Sequence, residues 1–164
     1  MNGKTHVEWG AVSSAIISAA AGNDPINVAA CALVGYYVAK VPDQIERVPG
    51  SPFRFHRGMS HSWELMVAPM MLLAWWLPVG VDYLPWALAL GVMSHLTGDF
   101  LFGKAGWGRK AGIPLLMGRH HIGLGIFKVG NLTEETLYVI LRELKWGIIA
   151  GAIIWSLMRT AGVM

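Results

Sequence analysis

Trp9-Gly10-Ala11-Val12-Ser13-Ser14-Ala15-Ile16-Ile17-Ser18-Ala19-Ala20-Ala21-Gly22 decides the fold. The stretch has no charge and is built almost wholly of small residues. Small side chains let helix backbones approach closely in lipid. The run therefore reads as a membrane helix made to pack on other helices. It has no signal-peptide cleavage pattern and leads straight into a second apolar run.

The whole chain follows suit. Its 164 residues suffice for one domain. Charged residues make up 14% of it, against about 25% in ordinary soluble proteins. Hydrophobic residues reach 54%, with 8 Trp and 9 Met, and mean hydropathy is +0.47. A soluble domain of this size cannot cover so much apolar surface, and long uncharged stretches read as spans. The net charge of +3 is modest. No Lys/Arg run tracks a phosphate backbone, so a nucleic-acid partner is not expected. Cys31 is the sole cysteine, which excludes an internal disulfide.

Working outward, Asn23-Asp24-Pro25 is a turn that can restart a helix. Further apolar runs cover residues 26–39, 65–81 and 83–102, the last interrupted by His95 and Asp99. Residues 40–61 hold Pro42, Pro49, Gly50, Pro52 and Gly58 and read as a polar loop. A second polar loop, 103–130, is rich in glycine and basic residues. Asn131-Leu132-Thr133-Glu134 fits a capping box that opens the last helix. The expected fold is all-α: a polytopic membrane helical bundle of about five spans, forming a single integral-membrane domain over 1–164. Several runs fall short of the ~20 residues that cross a hydrocarbon core. Snorkelling polar flanks would lengthen them.

Orientation follows from the basic residues. With a cytoplasmic N-terminus, all but Arg159 of the 13 Lys and Arg residues lie inside. The expectation is a multi-pass protein of the inner, cytoplasmic membrane. On that topology His6, Asp43, His56, His61, His95 and Asp99 all fall at cytoplasmic helix ends, although only Lys and Arg set the orientation. His95 and Asp99 are spaced i, i+4 and share a helix face. His56 and His61 lie in Phe55-His56-Arg57-Gly58-Met59-Ser60-His61-Ser62, with Arg57 between them. Imidazoles with carboxylates form a common ligand set for a divalent ion such as Zn, Mn or Fe. Ionisable groups in a membrane segment point to function. These six residues are the expected metal ligands, for one ion or two. For each the bland reading stands beside it: a helix-to-helix hydrogen bond, a helix stop, or a loop histidine.

The order Pro42-Asp43, His56-Arg57-Gly58-Met59-Ser60-His61-Ser62, His95-Leu96-Thr97-Gly98-Asp99 and Ile113-Pro114-Leu115-Leu116 resembles the YdjM-like family. That family consists of small inner-membrane proteins described as LexA-binding and as membrane-bound metal-dependent hydrolases. The likeness runs from about His6 to about Glu134. Where the family carries an acidic residue two positions after the Pro-Asp aspartate, this chain has Ile45, with Glu46 next to it.

A bound metal makes hydrolysis the natural chemistry, because the ion acidifies water and polarises the scissile group. Asp43, Asp99 or Glu46 would serve as base. Arg57 would grip an anionic oxygen through paired hydrogen bonds, with help from Arg54, Arg119 and His120. A basic site at headgroup depth suits a phosphoester of a lipid or lipid-linked molecule. No Gly-x-Ser-x-Gly nucleophile element is present to favour ester or amide cleavage. Two other readings stay open. One is a membrane adaptor with a structural metal and a cytoplasmic protein partner such as LexA. The other is a transporter, which would need its ionisable groups near mid-membrane instead.

Overall fold

The structure, a computed structural model, describes residues 3–49, 83–102, 113–115, 120–122 and 134–163. Helix α1 (Gly3–Ala20) contains the small-residue stretch and extends back over Lys4, His6 and Glu8. It ends where Gly22 takes φ 88°, a left-handed conformation that a side chain disfavours. Gly22 N donates to Ala19 O at 3.0 Å and Asn23 N to Ser18 O at 3.2 Å. The last carbonyls of α1 are thereby satisfied. Asp24 caps α2 (Pro25–Val38), its carboxylate accepting from Ile26 N at 2.9 Å and Asn27 N at 3.0 Å. Pro25 occupies the first turn, where its missing N–H is no loss. The turn is short, so α2 runs back against α1.

Residues 41–47, expected as loop, instead form a short helix, α3 (Val41–Arg47). Pro42 is tolerated because it stands in the first turn. Helix α4 (Tyr83–Phe102) follows, then strands β1 (Ile113–Leu115) and β2 (His120–Ile122), then the long α5 (Glu134–Thr160). The strands pair antiparallel, Leu115 opposite His120 and Ile113 opposite Ile122, inside the glycine-rich segment read as loop. Asn131, the expected cap of the last helix, lies outside the described residues.

Helices α1, α2 and α4 meet at glycines. A Cβ on Gly10 would stand 2.5 Å from Gly35 O, and one on Gly35 would run into the Ser14 hydroxyl. One on Gly91 would stand 2.8 Å from Val38 Cβ and 3.3 Å from Gly35 Cα. Ala11, Ala15 and Ala19 continue the same close contact along α1, against Val28 and Ala32 of α2 and Ile149 and Ala152 of α5. A second cluster joins Val92 and Leu96 of α4 to Val38 and Ile45. Helix α5 lies parallel to α1 and is tied to it twice. Lys145 Nζ meets Glu8 Oε2 at 2.7 Å, and the Ser156 hydroxyl donates to Asn23 O beside Gly22.

Among the described residues no helix is long and apolar enough to cross a membrane. The expectations of about five spans and of a multi-pass chain are therefore not supported. The reasons are local. Helix α2 has 14 residues, about 21 Å at 1.5 Å each, against a core of about 30 Å. Lys4, His6 and Glu8 occupy the start of α1, and His95 and Asp99 interrupt α4. The first half of α5 carries Glu135, Arg142, Glu143 and Lys145. The all-helical character holds, apart from the strand pair.

Beside this hydrophobic core, polar groups are also buried and large apolar side chains are exposed. Thr5, His6, Glu8, Ser14, Ser18, Ser94, His95 and Asp99 are buried, whereas Ile16, Ile17, Leu33, Trp146, Ile154, Trp155 and Leu157 are exposed. Such apolar patches mark a surface that meets lipid or protein.

The glycine crossing predicts an asymmetry. Gly35→Val should cost about 1–3 kcal/mol through overpacking, read as a lower thermal midpoint in detergent. Gly147, with nothing within 4 Å of a Cβ, should accept alanine with unchanged or slightly raised stability, since glycine is the poorer helix former. Equal midpoints for the two variants would contradict the close approach.

Candidate metal centre

The site lies one helical turn from the glycine crossing. His6 precedes Gly10 by four residues, Ala39 follows Gly35 by four, and His95 follows Gly91 by four. A turn takes 3.6 residues, so each helix delivers one group to the same level. Asp99 comes one turn beyond His95 on the same face of α4. Asp43 arrives on the first turn of α3.

The imidazoles of His6 and His95 stack, with centroids 3.6 Å apart and planes within 13° of parallel. His6 Nε2 stands 3.4 Å from Asp99 Oδ1. His95 Nε2 stands 3.6 Å from Asp99 Oδ2 and 3.8 Å from Asp43 Oδ1. One donor atom from each of His6, His95 and Asp99 can be chosen so that all three lie within 4.8 Å of one another. All three residues are 1% exposed or less. His6 Nδ1 is buried without a hydrogen-bond partner.

The second nitrogen of His95 decides the chemistry. His95 Nδ1 meets Ala39 O at 2.5 Å. A carbonyl can only accept, so Nδ1 carries the proton and donates it. In the neutral ring Nε2 is then a bare lone pair, and it faces two carboxylates. With that ring neutral, acceptors face acceptors in a buried space, an arrangement that either a cation among them or a second proton on the ring would offset. Separations of 3.4–3.8 Å exceed ordinary hydrogen-bond lengths. They approach the spacing of two ligands on one ion: bonds of about 2.0–2.1 Å place tetrahedral ligands about 3.3 Å apart. A backbone carbonyl fixing the far nitrogen is the usual support for a metal-binding imidazole. The donor set fits a divalent ion.

Asp43 differs from the other three in being reachable, its side chain 19% exposed. It lines a cleft of about 680 Å³ together with Lys4, Lys40, Gln44, Arg47 and Tyr138. The buried centre and the open cleft thus share one carboxylate.

With this geometry established, the family can be settled. A family model described as YdjM inner membrane protein matches residues 1–163. The chain belongs to the YdjM inner membrane protein family. No curated protein and no solved structure matches it. YdjM membership agrees with the resemblance carried by the Pro-Asp, His-Arg-Gly and His-x-x-x-Asp elements. The inner membrane is the family's setting.

Of the expected YdjM site residues, the structure brings together His6, Asp43, His95 and Asp99. His56, His61, Arg54, Arg57 and Arg119 lie outside the described residues. Glu46 lies on α3, three residues after Asp43, with its side chain outside what is described. His120 pairs through β2 with Leu115, and its side chain is likewise outside the description.

Sequence reasoning missed the Ala39 carbonyl, for which a side-chain sequence has no signal. It also missed the cleft's cations. Lys40, Asp43, Gln44 and Arg47 are spaced i, i+3, i+4, i+7, the pattern of one helix face. Reading residues 40–61 as a loop hid it.

His6→Ala, His95→Ala and Asp99→Ala should each lower bound metal to a small fraction of the wild-type content, measured by elemental analysis of monodisperse purified protein. Full metal content in all three would remove this centre.

Proposed function

We propose that the protein is a membrane-bound metal-dependent hydrolase, acting on a phosphoester of a lipid or lipid-linked substrate at the cytoplasmic interface. The observation that carries this reading is the shared carboxylate. His6, His95 and Asp99 are sealed, while Asp43 links them to an open, cation-lined cleft. A structural metal site is closed by protein ligands, whereas a catalytic one keeps an accessible position.

In this reading His6, His95 and Asp99 hold the ion, with His56 and His61 as further ligands. A bound ion of the Zn, Mn or Fe class would supply an acidified water and polarise a phosphoryl oxygen. Asp43 would accept a proton from the attacking water as the water oxygen bonds to phosphorus, and would return it to the leaving alcohol oxygen as the ester P–O bond breaks. Ala39 O keeps the His95 ring in register. Glu46 is a second candidate base. Arg57, with Arg54, Arg119 and His120, holds the anionic oxygens. The exposed apolar exterior supports contact with lipid, and the basic residues gathered near the centre suit the cytoplasmic side.

Purified protein should release phosphate from some member of a lipid-phosphate panel. Release should stop with a chelator and return with added metal. Asp43→Asn should lower the rate about 100-fold or more, within the range for a positioned base, with less effect on bound metal than His95→Ala. A wild-type protein that binds metal yet releases nothing across the panel would instead favour the adaptor reading with its cytoplasmic protein partner.

A further inference from the structure

Two cavities of opposite character share one lining residue, Tyr36. The first is the cleft of about 680 Å³ that reaches Asp43. Its charges are Lys4, Lys40 and Arg47, set against Glu8 and Asp43. Glu8 is engaged by Lys145 at 2.7 Å, which leaves Asp43 as the one other negative charge among the described lining residues. Lys40 and Arg47 outweigh it, so the cleft is suited to an anion. The second cavity, about 500 Å³, lies between α1, α2 and α5 and is walled by alanines with Leu33, Ile149 and Ile153.

Tyr36 lines both cavities. Lys145, which lines the second, has its Nζ 5.6 Å from the centre of the Tyr36 ring. The change from cationic to apolar therefore takes place across a single tyrosine. An aromatic ring with a polar tip suits such a boundary.

We infer that the two cavities are one site for an anionic amphiphile. A phosphate-bearing head lies by Lys40 and Arg47, next to Asp43, and one hydrocarbon chain lies in the groove between α2 and α5. This names the substrate class of the proposed hydrolase and rests on that reading for the turnover, though not for the binding. A soluble phosphate would leave the groove unused. A partner helix in the groove would leave the cationic cleft unused. Only a molecule with both parts fills both. Burial of a chain removes apolar surface from water, so the groove should tighten binding well beyond what the head achieves alone.

The test is calorimetric titration of the purified full-length chain with uncleavable ligands. These are the phosphonate analogue of dioctanoyl phosphatidic acid, its glycerol-phosphonate head alone, inorganic phosphate, and dioctanoylglycerol. The complete analogue should bind at least 10-fold tighter than each of the other three. Lys40→Gln with Arg47→Gln should weaken the analogue and the free head by about 10-fold and leave dioctanoylglycerol unchanged. Ala29→Trp fills the groove from its exposed rim and should weaken the analogue but not the free head, as should Ala150→Trp. Equal affinity for analogue and free head would reduce the site to one for soluble phosphates and overturn the inference. So would equal affinity for analogue and dioctanoylglycerol. Both comparisons need only the wild-type chain, so a misfolded variant leaves the test intact. Tight binding of the analogue without turnover of lipid phosphates would sink the hydrolase reading and leave the two-part site standing.

Discussion

Close backbone contact at Gly10, Gly35 and Gly91 is the constraint on which the rest depends. No side chain separates the three helices there, since a Cβ on Gly10 or Gly35 would strike the neighbouring helix. Contact this tight draws the following turns together as well, because helices are stiff over a turn. Four residues from each glycine stand His6, the Ala39 carbonyl and His95. A larger residue at the crossing would spread the helices and pull the imidazoles apart, without touching a ligand.

The centre that results is unfavourable by itself. Asp99 is buried against the two imidazoles, and Asp43 reaches His95 from the edge of the cleft. A buried carboxylate requires a positive counterpart, which a divalent ion would provide. The small-residue packing of α1, α2 and α5 supplies the framework that holds the ligands in place. This division of labour resembles other sites in which rigid elements pre-position the donors. The group that differs is Asp43, on a short helix at the edge of the cleft and accessible from it.

Exposed isoleucines, leucines and tryptophans coexist with a set of buried polar groups. That distribution accords with a family of the inner membrane. The described helices are nevertheless shortened or interrupted by the residues that build the site. His6, His95 and Asp99 face one another and are shielded by the bundle.

The sequence by itself determined the helical class, the family, and most of the described donor set. Uncharged small-residue runs allow little besides packed helices, and the i, i+4 spacing of His95 and Asp99 fixes a shared face before any folding is considered. His6 and Asp43 were singled out through an expected membrane topology that the described helices do not support, yet both lie beside His95 and Asp99. The expected count of about five spans is not supported, because the described apolar runs are too short or carry too many polar residues to cross a membrane, and the run at 65–81 lies outside the described residues. Residues 41–47 were misread because proline signals a loop as readily as a first helical turn. Tertiary structure alone decided that the Ala39 carbonyl fixes the His95 tautomer, that Lys40 and Arg47 join Asp43 at one cleft, and that an apolar groove meets it at Tyr36. Each of these depends on distances between separate helices, and such distances are set by packing at the glycines, which local sequence patterns do not encode.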